Sequence, residues 1–246
     1  MRHRLALIGH PVAHSRSASY FQQKFLKEGI DGSYILLDTP SLNTLEEEIE
    51  RHGLTGFNVT APHKQAILPY LNQLTQEAEA IGAVNTVAIR DGKLIGHNTD
   101  AIGFADAIRP LLQPYHTSAL VLGNGGAAKA VRYALKNLLH IDYLTIARRG
   151  SDLTFEAISK PLMDSHTVII NCTTLGMEPK KETVPLPYHY LTEKHLLFDL
   201  MYAPEQTPFL LEGKQKKATV CNGLSMLYNQ AEAAWQFWND SHSHKI

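Results

Sequence analysis

The sequence predicts an α/β fold with mostly parallel strands. Short apolar runs alternate with longer segments of helical periodicity along the chain, which is the pattern of repeated strand and helix units. The 246 residues suffice for one large domain or two small ones, each able to bury a core. With 44% hydrophobic and 19% charged residues, the composition is that of a globular chain and excludes a disordered or fibrous one.

The charge balance and the cysteine count exclude several classes of function. The 23 basic and 24 acidic residues give a net charge of -1, which predicts no affinity for nucleic acid or for an anionic membrane. No apolar run reaches the roughly 18 residues of a transmembrane helix, and the apolar start of the chain ends at Gly9, too early for a signal peptide. Two cysteines are too few for a disulfide framework and fit a reducing compartment, so we expect a cytoplasmic protein.

The first half of the chain alternates strand and helix patterns. Leu42, Leu45 and Ile49 recur at helical spacing with glutamates on the other face, which predicts an amphipathic helix. Asp91-Gly92 between two apolar runs predicts a tight hairpin turn. The other predicted elements are strands over 4–8, 34–37 and 56–59, a helix over 17–28 closed by Gly29, and the hairpin strands 83–89 and 93–95.

The second half repeats the same rhythm after a glycine-rich turn. Apolar residues at helical spacing, such as Leu227, Ala231 and Ala234, predict a final amphipathic helix. The predicted elements are strands over 119–122, 143–147, 167–171, 196–200 and 218–220, with helices over 126–139 and 225–238.

The glycine-rich turn indicates a dinucleotide site. Gly123, Gly125 and Ala128 fit the pattern G-x-G-x-x-G/A between a strand and a helix, where the glycines let a pyrophosphate approach the helix N-terminus. A merely tight turn remains the alternative.

The next predicted strand ends in Arg148-Arg149, with no acidic residue before Asp152, and two guanidiniums suit a 2′-phosphate. Two solvated surface arginines are the alternative interpretation.

Two polar groups in the first half are candidates for a substrate site. Ser15 and Ser17 follow the first strand and could bind a carboxylate or cap the next helix. Asn58, Thr60 and Lys64 lie at or just after the carboxyl end of a strand, where open α/β sheets bind ligands, although a lone lysine in a first helical turn usually faces solvent.

Histidine and cysteine side chains give no further candidate. Of the 13 histidines, those other than the tail residues His242 and His244 show no metal-ligand spacing, so no metal site is predicted. His63 beside Lys64 fits a packing role better than that of a general acid. Cys172 fits a small buried residue better than a nucleophile.

Seven short segments resemble, in order, those of the shikimate dehydrogenase family. The resemblance runs from Gly9 to Trp238. The segments are 9–17, 58–64, 82–86, 96–100 with Gly103, 123–127, 171–177, and 222–227 followed by Gln230-Ala231.

The resemblance implies a reversible, NADPH-dependent reduction of 3-dehydroshikimate to shikimate, in the pathway to aromatic amino acids. It implies Lys64 and Asp100 as the catalytic pair. The implied substrate-binding residues are Ser15, Ser17, Thr60, Asn85, Tyr202 and Gln230. The implied residues for the cofactor NADP are Gly123, Asn124, Gly125, Gly126, Ala127, Arg148, Arg149, Thr173 and Gly223.

Chain order and the resemblance together predict two lobes. Residues 1–100, completed by 224–246, form a substrate-binding and catalytic domain, and 101–223 form a Rossmann-type NADP-binding domain. The last helix is expected to return to the first lobe, because Gln230 follows the cofactor half. We expect a monomer or a homodimer with a small-molecule substrate.

Two departures from the family pattern leave alternatives open. Ala18 replaces a common proline, and Ala147-Arg148-Arg149 replaces a common Asn-Arg-Thr, with Asp152 nearby. The alternatives are a dehydrogenase of broader specificity, which accepts quinate or uses NAD, and a silent homologue that only binds shikimate. The presence of both Lys64 and Asp100 counts against the silent homologue.

Overall fold

The computed structural model of the chain describes residues 2–176 and 182–240. The chain divides into two compact units. The first consists of Met1–Thr99 with Gln230–Ile246, and the second of Asp100–Asn229. Each unit has its own sheet and its own apolar core.

Within the described ranges, no helix is both long enough and apolar enough to cross a bilayer. Across these residues, the histidine, cysteine and carboxylate side chains form no group of three or more that could hold a metal ion. Met177, which ends one of the family segments, and the tail residues His242 and His244 lie outside the described residues.

The first unit is built on a six-stranded mixed sheet. Its strands are β1 (His3–Gly9), β2 (Gly32–Asp38), β3 (Gly56–Val59), β4 (Gln73–Leu74), β5 (Thr86–Arg90) and β6 (Lys93–His97), in the spatial order β2-β1-β3-β5-β6-β4. β1 is parallel to β2 and β3, whereas β5 is antiparallel to β3 and β6. The expectation of mostly parallel strands therefore holds for only part of this sheet.

The predicted hairpin of β5 and β6 is confirmed. Asp91 and Gly92 join the two strands with φ of 50° and 73°, so both lie in the left-handed region that a two-residue hairpin turn requires. This turn sets the register that pairs Thr86 with His97.

Helices cover both faces of the first sheet. They are α1 (Ser17–Glu28), α2 (Leu45–His52), α3 (His63–Ala66) and α4 (Gln76–Ile81). On one face Phe21 and Phe25 of α1 pack with Tyr34 of β2 and with Ala231 of the C-terminal helix. On the other face Ile67 packs with the buried apolar side chains of β1, β3 and β5.

The C-terminal helix, Leu224–Asn239, begins in the second unit and ends in the first. The indole nitrogen of Trp238 donates to the carbonyl of Val87 at 3.0 Å, and Arg90 donates to the carbonyl of Phe237 at 2.6 Å. These contacts hold residues 230–239 against β5, as the predicted return of the last helix requires.

The second unit is built on a five-stranded parallel sheet. Its strands are β7 (Ser118–Leu122), β8 (Asp142–Ile146), β9 (Val168–Asn171), β10 (Leu196–Asp199) and β11 (Thr219–Cys221), in the order β11-β10-β9-β7-β8. Its helices are α5 (Asp100–Ile108), α6 (Gly126–Tyr133), α7 (Lys160–Ser165), α8 (Pro208–Gln215) and α9, the C-terminal helix. The central strands are almost wholly apolar because both of their faces are buried.

The order of these strands reverses at β7, which has β8 on one side and β9 on the other. In open parallel sheets, the carboxyl ends of the strands at such a reversal form the ligand crevice. The glycine-rich turn leaves β7 at this point. The helix that follows runs to Leu139 as predicted, but its last part, Ala134–Leu139, has the wider π-helical hydrogen-bonding pattern.

Candidate functional site

In the first unit, the loops that follow β1 and β3 lie side by side. The amide of His10 donates to the carbonyl of Ala61 at 3.0 Å, and the amide of Thr60 donates to the carbonyl of Ile8 at 2.9 Å. Two segments that are about fifty residues apart in the sequence are thus joined by backbone hydrogen bonds. The loop after β1 leads to Ser15 and Ser17, and the loop after β3 leads from Thr60 to Lys64.

Ser15 and Ser17 make different contacts at the start of α1. The hydroxyl of Ser15 accepts from the amide of Ser17 at 3.2 Å, a local turn contact one residue before the N-cap Arg16, so Ser15 does not cap α1. Ser17 is buried, and its side chain lies close enough to the phenol of Tyr34 to affect the pKa of that group. A carboxylate-binding role for these hydroxyls stays a prediction.

Tyr34 belongs to a buried network of amides and hydroxyls. Its phenol donates to Oδ1 of Asn58 at 2.8 Å, and burial raises the pKa of Tyr34 above its ordinary value, so the group stays protonated. Nδ2 of Asn58 donates to the carbonyl of Asn85 and to the hydroxyl of Thr86, both at 3.1 Å. Groups from three separate segments therefore share one set of hydrogen bonds.

Asn85 continues the network to Gln230. Oδ1 of Asn85 accepts from the amide of Thr99 at 2.7 Å, while Nδ2 donates to the hydroxyl of Thr99 at 2.9 Å and to Oε1 of Gln230 at 3.3 Å. Both amide side chains are buried. The first unit thus joins Asn85 and Gln230, two of the predicted substrate-binding residues, by a direct hydrogen bond.

Lys64 and His63 begin α3 and have different surroundings. Lys64 is half-buried, and its carbonyl accepts from the amide of Val84 at 2.7 Å, which ties α3 to the segment before Asn85. His63 is buried, and its Nε2 lies 2.6 Å from the carbonyl of Thr39. This contact holds the loop after β2 and agrees with a packing role for His63.

Asp100 and Tyr202 belong to the second unit. Asp100 is buried and is the first residue of α5, directly after Thr99 in the chain. Tyr202 is half-buried and follows β10.

The glycine-rich turn of the second unit has the geometry of a nucleotide site. Gly123 has φ of 109°, which a residue with a side chain adopts only under strain, and its amide donates to the carbonyl of Ile146 at 2.8 Å. Gly125 caps α6, and a Cβ placed on it would meet no atom of the described residues within 4 Å. The N-terminus of α6, where Gly126 and Ala127 lie, is therefore open to an anion.

The turn after β8 carries the two predicted arginines. Arg148 and Arg149 are exposed. Oδ2 of Asp152 accepts from the amide of Thr145 at 2.7 Å, so this carboxylate is used to join the two ends of the turn. Asp152 is therefore not the acidic residue at the strand end that usually binds a ribose 2′-hydroxyl in NAD-selective proteins.

Thr173 is positioned by a second buried network, at the ends of β9 and β10. The amide and hydroxyl of Thr173 donate to Oδ1 of Asn171 at 3.0 Å and 2.7 Å. Nδ2 of Asn171 and the amide of Met201 donate to Oδ1 of Asp199, both at 3.1 Å, and the hydroxyl of Thr207 donates to its Oδ2 at 2.6 Å. Asp199 thus joins the loop of Thr173 to the loop that carries Tyr202.

Gly223 fits closely beside the same loop. Its amide donates to the carbonyl of Met201 at 2.9 Å, and a Cβ on Gly223 would lie 2.0 Å from the carbonyl oxygen of Leu200. No other residue fits at this position without moving the backbone.

Burial raises the pKa of the neighbouring Cys172 thiol, as does the Asp199 carboxylate, which agrees with an unreactive cysteine.

Asp199 is fully buried, and burial raises its pKa to about 6 despite the three donors that favour the carboxylate. Between the ordinary and the raised pKa, the native state binds more protons than the unfolded state, so the free energy of unfolding of the wild type falls as pH rises through this window. Asparagine does not titrate. We expect the stability of Asp199→Asn relative to wild type to increase by more than about 1 kcal/mol between roughly pH 4 and pH 7.

Urea unfolding of both proteins, followed by circular dichroism across this pH range, measures the difference. Parallel pH profiles for the two proteins would contradict the raised pKa.

The networks contain residues for which the sequence predicts no role. Asn171 and Asp199 each end a buried apolar strand, and a polar residue at the carboxyl end of a parallel strand is the signal that could identify them. Tyr34 gives no such signal, because its partner Asn58 lies 24 positions further along the chain.

Comparisons with known proteins agree with this geometry. A family model for the shikimate dehydrogenase substrate binding domain matches residues 7–87. The NADP(+) shikimate dehydrogenase of Shouchella clausii is 34% identical over 256 residues, which cover 97% of this chain and 93% of the relative. Both units are therefore included in the similarity.

Two solved structures extend the similarity to the fold. The shikimate 5-dehydrogenase from Thermus thermophilus, in complex with NADP(H) and shikimate, has a TM-score of 0.86 at 35% identity, covering 96% of this chain and 93% of that one. The shikimate dehydrogenase from Aquifex aeolicus has a TM-score of 0.87 at 30% identity, covering 97% and 92%. The predicted fold class, an α/β substrate domain with a Rossmann-type NADP-binding domain, is confirmed.

Proposed function

The chain belongs to the shikimate dehydrogenase family, and we propose that it catalyses the reversible, NADPH-dependent reduction of 3-dehydroshikimate to shikimate. The observation that carries this proposal is the buried network centred on Asn85. It connects residues of the family segments 58–64, 82–86 and 96–100 with Gln230. These segments are the ones in which the family resemblance places the substrate-binding residues.

The substrate is held by hydroxyl and amide groups of the first unit. Ser15 and Ser17 bind the carboxylate, and Thr60, Asn85 and Gln230 bind the ring hydroxyls. The fixed contacts support these roles, because Asn85 donates to Oε1 of Gln230 and thereby sets which end of that amide is the donor end. A polar network with its orientation already set binds a polyol with a smaller loss of side-chain freedom. Tyr202 lies near the carboxylate in this proposal.

Lys64 and Asp100 perform the proton transfer. When bound, NADPH supplies the hydride to the carbonyl carbon. The ammonium of Lys64 stabilises the negative charge that develops on the carbonyl oxygen and donates the proton to it. Asp100 orients the ammonium and favours its charged form.

The second unit holds the cofactor. The open N-terminus of α6 suits the pyrophosphate, and the absence of an acidic residue among positions 147–151 suits a 2′-phosphate on Arg148 and Arg149. The residues proposed to bind NADP are Gly123, Asn124, Gly125, Gly126, Ala127, Arg148, Arg149, Thr173 and Gly223. The domain boundaries proposed are 1–100 with 224–246 for the substrate and 101–223 for the cofactor.

The proposal is tested by measuring oxidation of shikimate and of quinate, each with NADP and with NAD, from the absorbance of the reduced nicotinamide. We expect the highest kcat/KM for shikimate with NADP. A higher value for quinate or for NAD would replace the proposal with a dehydrogenase of shifted specificity. Binding of shikimate without turnover under any of these conditions would make the protein a silent homologue.

A further inference from the structure

We propose that Arg132 is a positioning residue for the 2′-phosphate of NADP, and that it acts through Asn124 on the turn that carries Arg148 and Arg149. This inference rests on the proposed cofactor site. Arg132 lies in the last turn of α6, outside the glycine-rich segment and outside the family segments named above. Its side chain reaches back toward the start of its own helix.

The geometry of this region links three parts of the second unit. Nη1 of Arg132 donates to Oδ1 of Asn124 at 2.7 Å and to the hydroxyl of Thr145 at 3.4 Å. Nδ2 of Asn124 donates to the carbonyl of Gly150. Asn124 belongs to the glycine-rich turn, Thr145 to β8, and Gly150 directly follows the two arginines.

Arg132 determines which way the Asn124 side chain faces. A guanidinium has donors and no acceptor, so it binds only the oxygen of the Asn124 amide. With Oδ1 held by Arg132, the nitrogen of the amide is directed at the carbonyl of Gly150. Without the guanidinium, the Asn124 amide is no longer held in one orientation. Its nitrogen then faces the carbonyl of Gly150 for only part of the time, and the hydrogen bond to Gly150 is weakened.

The turn after β8 depends on that hydrogen bond. Two side chains hold the two ends of this turn together. The carboxylate of Asp152 accepts from the amide of Thr145, and the hydroxyl of Ser151 donates to the carbonyls of Ala147 at 3.0 Å and Leu153 at 2.9 Å. Gly150 has φ of 63°, in the left-handed region. The contact with Asn124 fixes Gly150 against the glycine-rich turn, and with it the direction in which Arg148 and Arg149 leave β8.

This arrangement affects one cofactor and not the other. NADP and NAD differ only in the 2′-phosphate, so the position of Arg148 and Arg149 matters for NADP alone. A turn that is already held in the binding conformation does not have to be ordered when the phosphate binds. Loss of Arg132 should therefore weaken phosphate recognition and leave recognition of the rest of the nucleotide unchanged.

The test compares two fragments of the cofactor, adenosine 2′,5′-bisphosphate and adenosine 5′-monophosphate, by isothermal titration calorimetry. We expect Arg132→Met to weaken the bisphosphate by about threefold to tenfold, the range of a single hydrogen bond, and to leave the monophosphate unchanged. The matched control is Lys136→Met, which removes a positive charge from an exposed position four residues further along the same helix. An equal loss for both nucleotides, or an equal effect of the control, would overturn the proposal.

A double-mutant cycle shows whether Arg132 acts through Asn124. If it does, Arg132→Met should have little further effect on bisphosphate binding in an Asn124→Ala background, because the side chain through which it acts is gone. Additive losses would mean that Arg132 contacts the phosphate itself, and the proposal would be wrong. Since these measurements need no turnover, they stay informative if shikimate proves not to be the substrate.

Discussion

Replacing Lys64 with alanine is expected to lower kcat for shikimate oxidation by roughly 10² to 10⁴, the usual contribution of a general acid or base, with less effect on the KM for shikimate. The reason is that the ammonium is needed most when charge develops on the reacting oxygen, whereas several hydroxyls and amides contribute to ground-state binding. Steady-state kinetics with NADP at saturating concentration separate the two parameters.

Two further variants identify what Lys64 contributes. Lys64→Arg keeps a positive charge but holds its proton too tightly to transfer it near neutral pH, so it should restore little of the lost kcat if proton transfer is the main role. Lys93→Ala removes an exposed lysine of the same unit and should leave both parameters unchanged. A Lys64→Ala enzyme that keeps more than about a tenth of the wild-type kcat would remove Lys64 from the mechanism.

The sequence predicts the local parts of this fold well, because each has a short-range cause. The Asp91-Gly92 turn needs two left-handed residues, and Gly123 needs a conformation that few residues adopt, so a short sequence motif suffices to predict each of them. The antiparallel pairing of β3 with β5 is less visible. It brings Asn58 opposite Thr86, a long-range choice that no local periodicity encodes.

The residues of the candidate site also differ in whether a local pattern identifies them. Arg148 can be identified from its place at the end of a strand, because a guanidinium there suits a 2′-phosphate. The hydrogen bond between Asn85 and Gln230 joins positions 145 apart, and only the family resemblance brought these two residues to attention. The supporting residues Tyr34, Arg132 and Asp199 act by holding other side chains, and such a role depends on the packed structure.

Arg148→Ala should weaken NADPH by about 1.5 to 3 kcal/mol, or roughly tenfold to 150-fold, and leave NADH nearly unchanged, because a charge-assisted hydrogen bond to the 2′-phosphate is lost. Dissociation constants for both cofactors, from the fluorescence of the reduced nicotinamide, measure the two effects. Arg149→Ala is the matched variant, since it removes the same group one position further along the same turn.

The two arginine variants also decide how the phosphate is bound. Asp152 is held by the amide of Thr145 in this turn, so its charge stays in place in both variants. If Arg148 alone binds the phosphate, Arg149→Ala should change NADPH affinity by less than about threefold, as for an exposed charge. If both bind it, the two losses should be similar, and the double variant should bind NADPH little better than NADH. Equal losses for NADPH and NADH in Arg148→Ala would mean that this arginine does not recognise the 2′-phosphate.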